Sequence, residues 1–195
     1  MTTTKKPQGR PQNRDLDHAI TTAAAELLGE MSLSALSMEL VAQRAGVGKP
    51  TVYRRWPSKG ALVIDVLADI APPIALPSTG DLRTNLRAAL VGFHRVLVDT
   101  GLAHVLYGLV GETLIDPDLA TRFRQHYVRP RVDPIMAALR QGIADGVVRA
   151  DLDVSLVHHL VFGPMMHSWL LDEKPMDDHQ ATTLFDEIWT VIGTR

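Results

Sequence analysis

Lys49, Thr51, Tyr53, Arg54 and Arg55 crowd one short stretch of the chain. Their side chains supply cations and hydroxyls, the groups that reach base edges and hold phosphates on a DNA duplex. A charge run alone would read as a solvated face, but here the charges come in register with helix signals. Gly48 and Pro50 open a short helix, since a proline in the first turn lacks only an N–H that the helix leaves unpaired anyway. Val52 and Trp56, four apart, give that helix a buried side, and Pro57 ends it. Lys59 follows Ser58, a cap for the next helix, and stands in that helix's first turn, where backbone N–H groups favour a phosphate.

The elements that position these groups are legible upstream. Ser37 can cap a helix through its hydroxyl, and Leu40, Val41 and Ala45 make its apolar stripe. Gly46 stops that helix, because only glycine enters the left-handed conformation without a Cβ penalty, and Val47 follows as an apolar plug. Two short helices joined by a glycine-containing turn make a helix-turn-helix. The candidate DNA contacts are Ser37, Arg44, Gly48, Lys49, Pro50, Thr51, Tyr53, Arg54, Arg55 and Lys59.

The order Ser37, Val41-Ala42, Ala45-Gly46-Val47, Lys49-Pro50-Thr51-Val52-Tyr53, Ser58-Lys59 and Leu62 resembles the signature of the TetR family of transcriptional repressors. The likeness runs from Asp15 to Leu67. It implies an all-α homodimer with a second domain that binds a small molecule. It also implies that Lys49, Pro50, Thr51 and Tyr53 face DNA and that Lys59 meets a phosphate. Two departures stand out. Trp56 and Pro57 replace the usual Phe and a variable residue, and Glu39 stands where some members carry a base-reading cation.

Composition bounds the rest. Of 195 residues, 46% are hydrophobic and 22% charged, the make-up of a globular protein able to bury a core. No cysteine is present, so disulfides and thiolate metal sites are excluded. No apolar run approaches a membrane span and no signal-peptide core opens the chain, so a cytoplasmic protein with no membrane partner is expected. The net charge of −2 divides into +4 over residues 1–60 and −6 over residues 61–195. A basic end joined to an acidic body is the asymmetry of a chain that meets phosphate at one end.

Along the chain, residues 1–13 read as a flexible basic arm, residues 14–60 as the helix-turn-helix domain and residues 61–195 as a helical effector-binding and dimerisation domain. Leu16, Ile20, Ala23, Ala24, Leu27 and Leu28 place a first helix over Arg14 to Glu30. A fourth runs from Ser58 to about Ala71, ending at Pro72-Pro73. Asp81, Asp116, Asp153 and Asp177-Asp178 stand where caps of later helices belong. The helix from Pro117 meets Pro130 and Pro134 and should kink or split there. Val147-Val148 is too short for a strand. About nine helices are expected in all.

Eight histidines invite a metal hypothesis, but no His-x3-His pair lies on any expected helix, and His158 and His159 point about 100° apart. Neither a metal nor another cofactor is expected. No nucleophile motif or phosphate loop marks an enzyme. A looser set, Phe93, His94, Tyr107, Phe123, His126, Tyr127, Met165, Met166 and Trp169, has the make-up of a ligand pocket in a helical bundle, and equally of ordinary core. Phe162, Trp169, Leu184, Ile188 and Trp189 carry surplus apolar surface and point to a two-fold interface through the last two long helices. The expected protein is a sequence-specific repressor on a palindromic double-stranded operator, released by a small-molecule effector. A helical enzyme and an unresponsive DNA-binding protein of the same fold are the alternatives.

Overall fold

The computed structural model describes residues 11–73, 76, 80–172 and 175–194, with the side chains of 11–13 excepted. Most of the expected arm, and most of the proline-rich loop after Pro73, lie outside the described residues. The fold is all-α. Its helices are α1 (Pro11–Glu30), α2 (Met38–Arg44), α3 (Lys49–Tyr53), α4 (Lys59–Ile70), α5 (Leu82–Asp99), α6 (Ala103–Thr113), α7 (Pro117–Phe123), α8 (Arg129–Ala144), α9 (Val154–Leu171) and α10 (Asp178–Ile192). A π-helical turn, Arg124–Val128, joins α7 to α8 without a break. Counted as one rod, that run leaves nine helical rods among the described residues. The first helix starts at Pro11, three residues before its expected start and inside the segment read as an arm.

The chain forms two compact units that divide between Val66 and Leu67, inside α4. In the first, Ile20, Ala24, Leu27 and Leu28 of α1 pack with Val41, Val52, Trp56, Leu62 and Val63, all buried. Leu40 is 37% exposed, so the buried side of α2 is Met38, Val41 and Ala42 rather than the expected Leu40, Val41 and Ala45. The indole of Trp56 buries its ring and donates from Nε1 to Asp65 Oδ2 at 2.8 Å.

In the second unit α10 packs along α5. Phe93 meets Phe162 edge-on at 5.6 Å, and Arg83 and Arg95 of α5 reach Asp186 and Asp178 of α10. Caps fall where the aspartates stand: Asp81 accepts from Thr84 N, Asp116 from Asp118 and Leu119 N, and Asp153 from Ser155 N. Asp177 and Gln180 form a reciprocal capping box. Val148 makes an isolated antiparallel bridge with Gly193, so the pair of valines pins the end of α10 without forming a strand.

Two expectations change here. Of the kink or split expected at Pro130 and Pro134, the split does not occur, since the rod runs on through both prolines. The Pro130 ring displaces a carbonyl one turn back, and the wider π turn absorbs that displacement. Ile188, expected at a subunit interface, is 7% exposed and turns into its own protomer. Phe162 and Trp169 likewise pack inward, against Phe93 and Tyr107. The large apolar side chains left outside on α9 are Leu156, Leu160, Met166, Leu170 and Leu171, and of these Met166 borders a cavity. Because α9 is apolar almost all round, its periodicity does not say which side faces in.

Candidate DNA-reading helix and effector cavity

Local chemistry fixes the helix-turn-helix. Ser37 Oγ accepts from Leu40 N at 3.2 Å and so caps α2. Gly46 has φ 66°, its N–H meets Gln43 O, and Val47 N meets Ala42 O at 2.9 Å, the paired bonds of a Schellman turn. Gly48 N-caps α3 and Pro50 occupies its first turn. Val52 and Trp56 hold the buried side, which leaves Gly48, Lys49, Pro50, Tyr53 and Arg54 exposed and Thr51 half-buried.

The candidate cations fall into two kinds. Arg44 is a tie. Its Nη1 and Nη2 each meet a Glu30 carboxylate oxygen at 2.8 Å, with Glu26 at 3.4 Å, and the guanidinium holds the Glu30 carboxyl below the usual range. Arg55 is another: it binds Asp17 of α1 and donates from Nη1 to Thr51 O at 3.1 Å. Lys59 Nζ donates to Leu33 O at 2.8 Å and so fixes the connection between α1 and α2. Lys49 differs. It is exposed, pairs with Glu39, and lies 5.6 Å from the centre of the Tyr53 ring. The bond to Glu39 raises the lysine's pKa and lowers the carboxyl's. Glu39 and Asp17 were invisible as partners in the sequence, because each is far along the chain from the cation it meets.

In the second unit a cavity of about 130 Å³ opens between α5, α6, the α7–α8 rod and α9. Phe93, Tyr107, Phe123, Tyr127, Met165 and Met166 of the expected set line it. Burial pushes the Tyr107 phenol up to about 12. Phe123 stacks on Tyr127 at 5.3 Å.

Three expected residues do not line it. His94 is fully buried and donates from Nε2 to Met176 O at 2.8 Å, while Ser168 Oγ accepts from Met176 N at 2.7 Å. Together they latch the start of α10 in place. His126 is exposed on the π turn, which rotates it off the wall that Tyr127 joins. Trp169 stands behind the wall, its ring centre 6.3 Å from that of Tyr107. Arg131, His158 and Phe162, absent from the expected set, do line the cavity. Aromatic content was the signal used, and a lone arginine between two prolines gave none. Among the described residues no three His, Asp or Glu side chains converge on a metal position.

Residues 20–66 match the model of the bacterial regulatory proteins of the tetR family, and residues 76–188 match the model of the tetracyclin repressor-like C-terminal domain. The uncharacterised HTH-type transcriptional regulator YdeS of Bacillus subtilis (strain 168) is 28% identical over 178 residues, covering 91% of this chain and 89% of its own. The DNA-binding transcriptional repressor TetR of Mycobacteroides abscessus is 29% identical, covering 89% and 92%. The crystal structure of the TetR family transcription regulator SCO0332 superposes with a TM-score of 0.73 at 34% identity, over 90% of this chain and 97% of its own. Helix order, turn chemistry and these likenesses agree: the chain belongs to the TetR family of transcriptional regulators and carries a helix-turn-helix DNA-binding domain.

Proposed function

We propose that this protein is a cytoplasmic repressor that holds a palindromic operator as a homodimer and releases it when a small molecule fills the cavity. The observation that carries the reading is the apolar, aromatic cavity in the second unit of a chain whose first unit presents DNA-binding groups. Gly48, Lys49, Pro50, Thr51, Tyr53 and Arg54 are the side of α3 that enters the major groove, with donors for bases and cations for phosphate. Arg44, Arg55 and Lys59 hold α2, α3 and the α1–α2 connection in position for it.

Leu156, Leu160, Leu170 and Leu171 of α9 supply the two-fold interface, since exposed apolar surface on one helix face suits association. The two subunits then present two copies of α3, which a palindrome matches. Release is a population shift. The effector must bind the DNA-incompetent state better than the competent one, by about 10⁴-fold to swing occupancy from 99:1 to 1:99. Helix α4, shared by both units, is the link through which the bias passes.

Selection of binding sites from random duplexes tests the first half. The expected product is an inverted pair of half-sites. No enrichment, or a single asymmetric site, would reject the dimeric repressor. Anisotropy of the selected duplex, titrated with a small-molecule library, tests the second half. Loss of affinity with at least one compound that also raises the protein's Tm without DNA is expected.

A further inference from the structure

Arg131, in α8, is 2% exposed and stands on the cavity wall. Its Nη1 donates to Tyr127 O, one turn back, at 2.6 Å. Its guanidinium carbon lies 3.8 Å from the centre of the Tyr127 ring. Among the described residues, Nε and Nη2 are buried with no hydrogen-bond partner. Those two nitrogens form the side edge of the guanidinium, whose parallel N–H bonds match the two oxygens of a carboxylate.

Burial lowers the arginine's pKa, yet arginine keeps its proton at neutral pH. A buried, unpaired cation is among the costliest groups a fold can hold. The Tyr127 phenol does not neutralise it, because burial pushes that pKa up and keeps the phenol uncharged. Tyr127 Oη is also buried without a partner among the described residues, which puts a second polar group on the same wall. Apart from the Tyr107 phenol and the His158 imidazole, the rest of the lining is apolar. A fixed cationic fork, two phenols, an imidazole and an otherwise apolar body of space define a complementary molecule.

We propose that the effector is an amphipathic carboxylic acid. Its carboxylate takes Nε and Nη2 of Arg131, and its apolar part lies against Phe93, Tyr107, Phe123 and Met166. This rests on the reading of the cavity as the effector site. The fork is held ready by its bond to Tyr127 O, by the Tyr127 ring under it and by Phe123 stacked on that ring.

The test uses the full chain and calorimetric titration with octanoate and 4-phenylbutanoate, each against its primary amide, at neutral pH. The amides keep size and shape and lose the charge. At least one acid should bind about ten-fold or more tightly than its amide, a single charge-assisted pair being worth that much. Arg131→Met should abolish the preference for acid while amides still bind, and Arg131→Lys should keep part of it. The ligand-free Arg131→Met protein should melt at the same temperature as the parent or higher, because an unpaired buried charge is gone.

Equal binding of acids and amides to the parent chain overturns the proposal and leaves the cavity standing. So does an acid preference that survives in Arg131→Met. If none of the four compounds binds, the effector-cavity reading falls and the proposal with it. Should Arg131→Met fail to fold, the parent's acid-to-amide ratio and Arg131→Lys decide.

Discussion

A cation near DNA is worth what its own protein leaves it to give, and Arg44, Lys49, Arg55 and Lys59 of this helix-turn-helix differ in that respect. Lys49 is exposed and, among the described residues, meets a neighbouring exposed carboxylate and a ring face, so Lys49→Ala should leave Tm nearly unchanged, because water screens an exposed pair. Its operator affinity should fall, and with it the sequence preference. Glu39→Gln should do the reverse, tightening binding and steepening the salt dependence by about one unit, since one lysine is released to phosphate. An unchanged salt slope in Glu39→Gln would show that Lys49 does not meet the backbone. Lys59→Ala should weaken all sequences alike, and should also lower stability by about 1–3 kcal/mol, because its ammonium satisfies a loop carbonyl. His158, on the cavity wall, adds a pH effect. Burial and then His159 depress its pKa below the ordinary value of about 6.5, so the folded form favours neutral imidazole. Its contribution to stability is present above about 6.5 and lost as pH falls through the depressed value. His158→Gln should flatten the decline of Tm between pH 7 and 5; a parallel decline in both proteins would assign the effect elsewhere.

At the scale of elements, short-range chemistry was legible and its departures have local causes. The caps at Ser37, Asp81, Asp116, Asp153 and Asp177 and the left-handed turn at Gly46 depend on neighbours a few residues away. Pro130 was legible as a disturbance but not as a π turn, because whether a helix breaks or widens depends on what packs against it. Gly142 of α8 carried no sequence signal at all. A Cβ there would collide with Leu82 of α5 and lie 2.8 Å from Val148 Cγ2, so α8, α5 and the segment after Gly146 meet at that point. Gly142→Ala should therefore destabilise by about 1–3 kcal/mol, despite alanine's better helix propensity, and denaturant melts of the second-unit signal would show it. A neutral or stabilising result would mean that Leu82 moves aside at no cost.

At the scale of the whole molecule, the predictions concern the partner copy and the effector. Leu160→Asp should yield a folded monomer with poor operator affinity, because two carboxylates would face each other across the two-fold. Ile188→Asp should instead unfold the chain, since its charge would be buried without a partner. Sedimentation with circular dichroism separates the two outcomes; a dimeric Leu160→Asp protein would move the interface off α9. Met166→Trp should fold, bind operator and lose effector response, since the residue is 37% exposed at the cavity and has room for a larger ring. What the sequence determined by itself was the helix-turn-helix, the all-α class, most helix limits and six of the cavity's aromatic and methionine residues. Those follow from period, caps and turn residues, all of which act within a few positions of the chain. Only the tertiary structure decided that Arg44 and Arg55 are ties, that His94 is a latch, that Ile188 points inward and that Arg131 stands buried with its fork unpaired. Each of those roles is set by a partner distant in sequence, or by which side of a nearly all-apolar helix meets the core, and neither is written in local pattern.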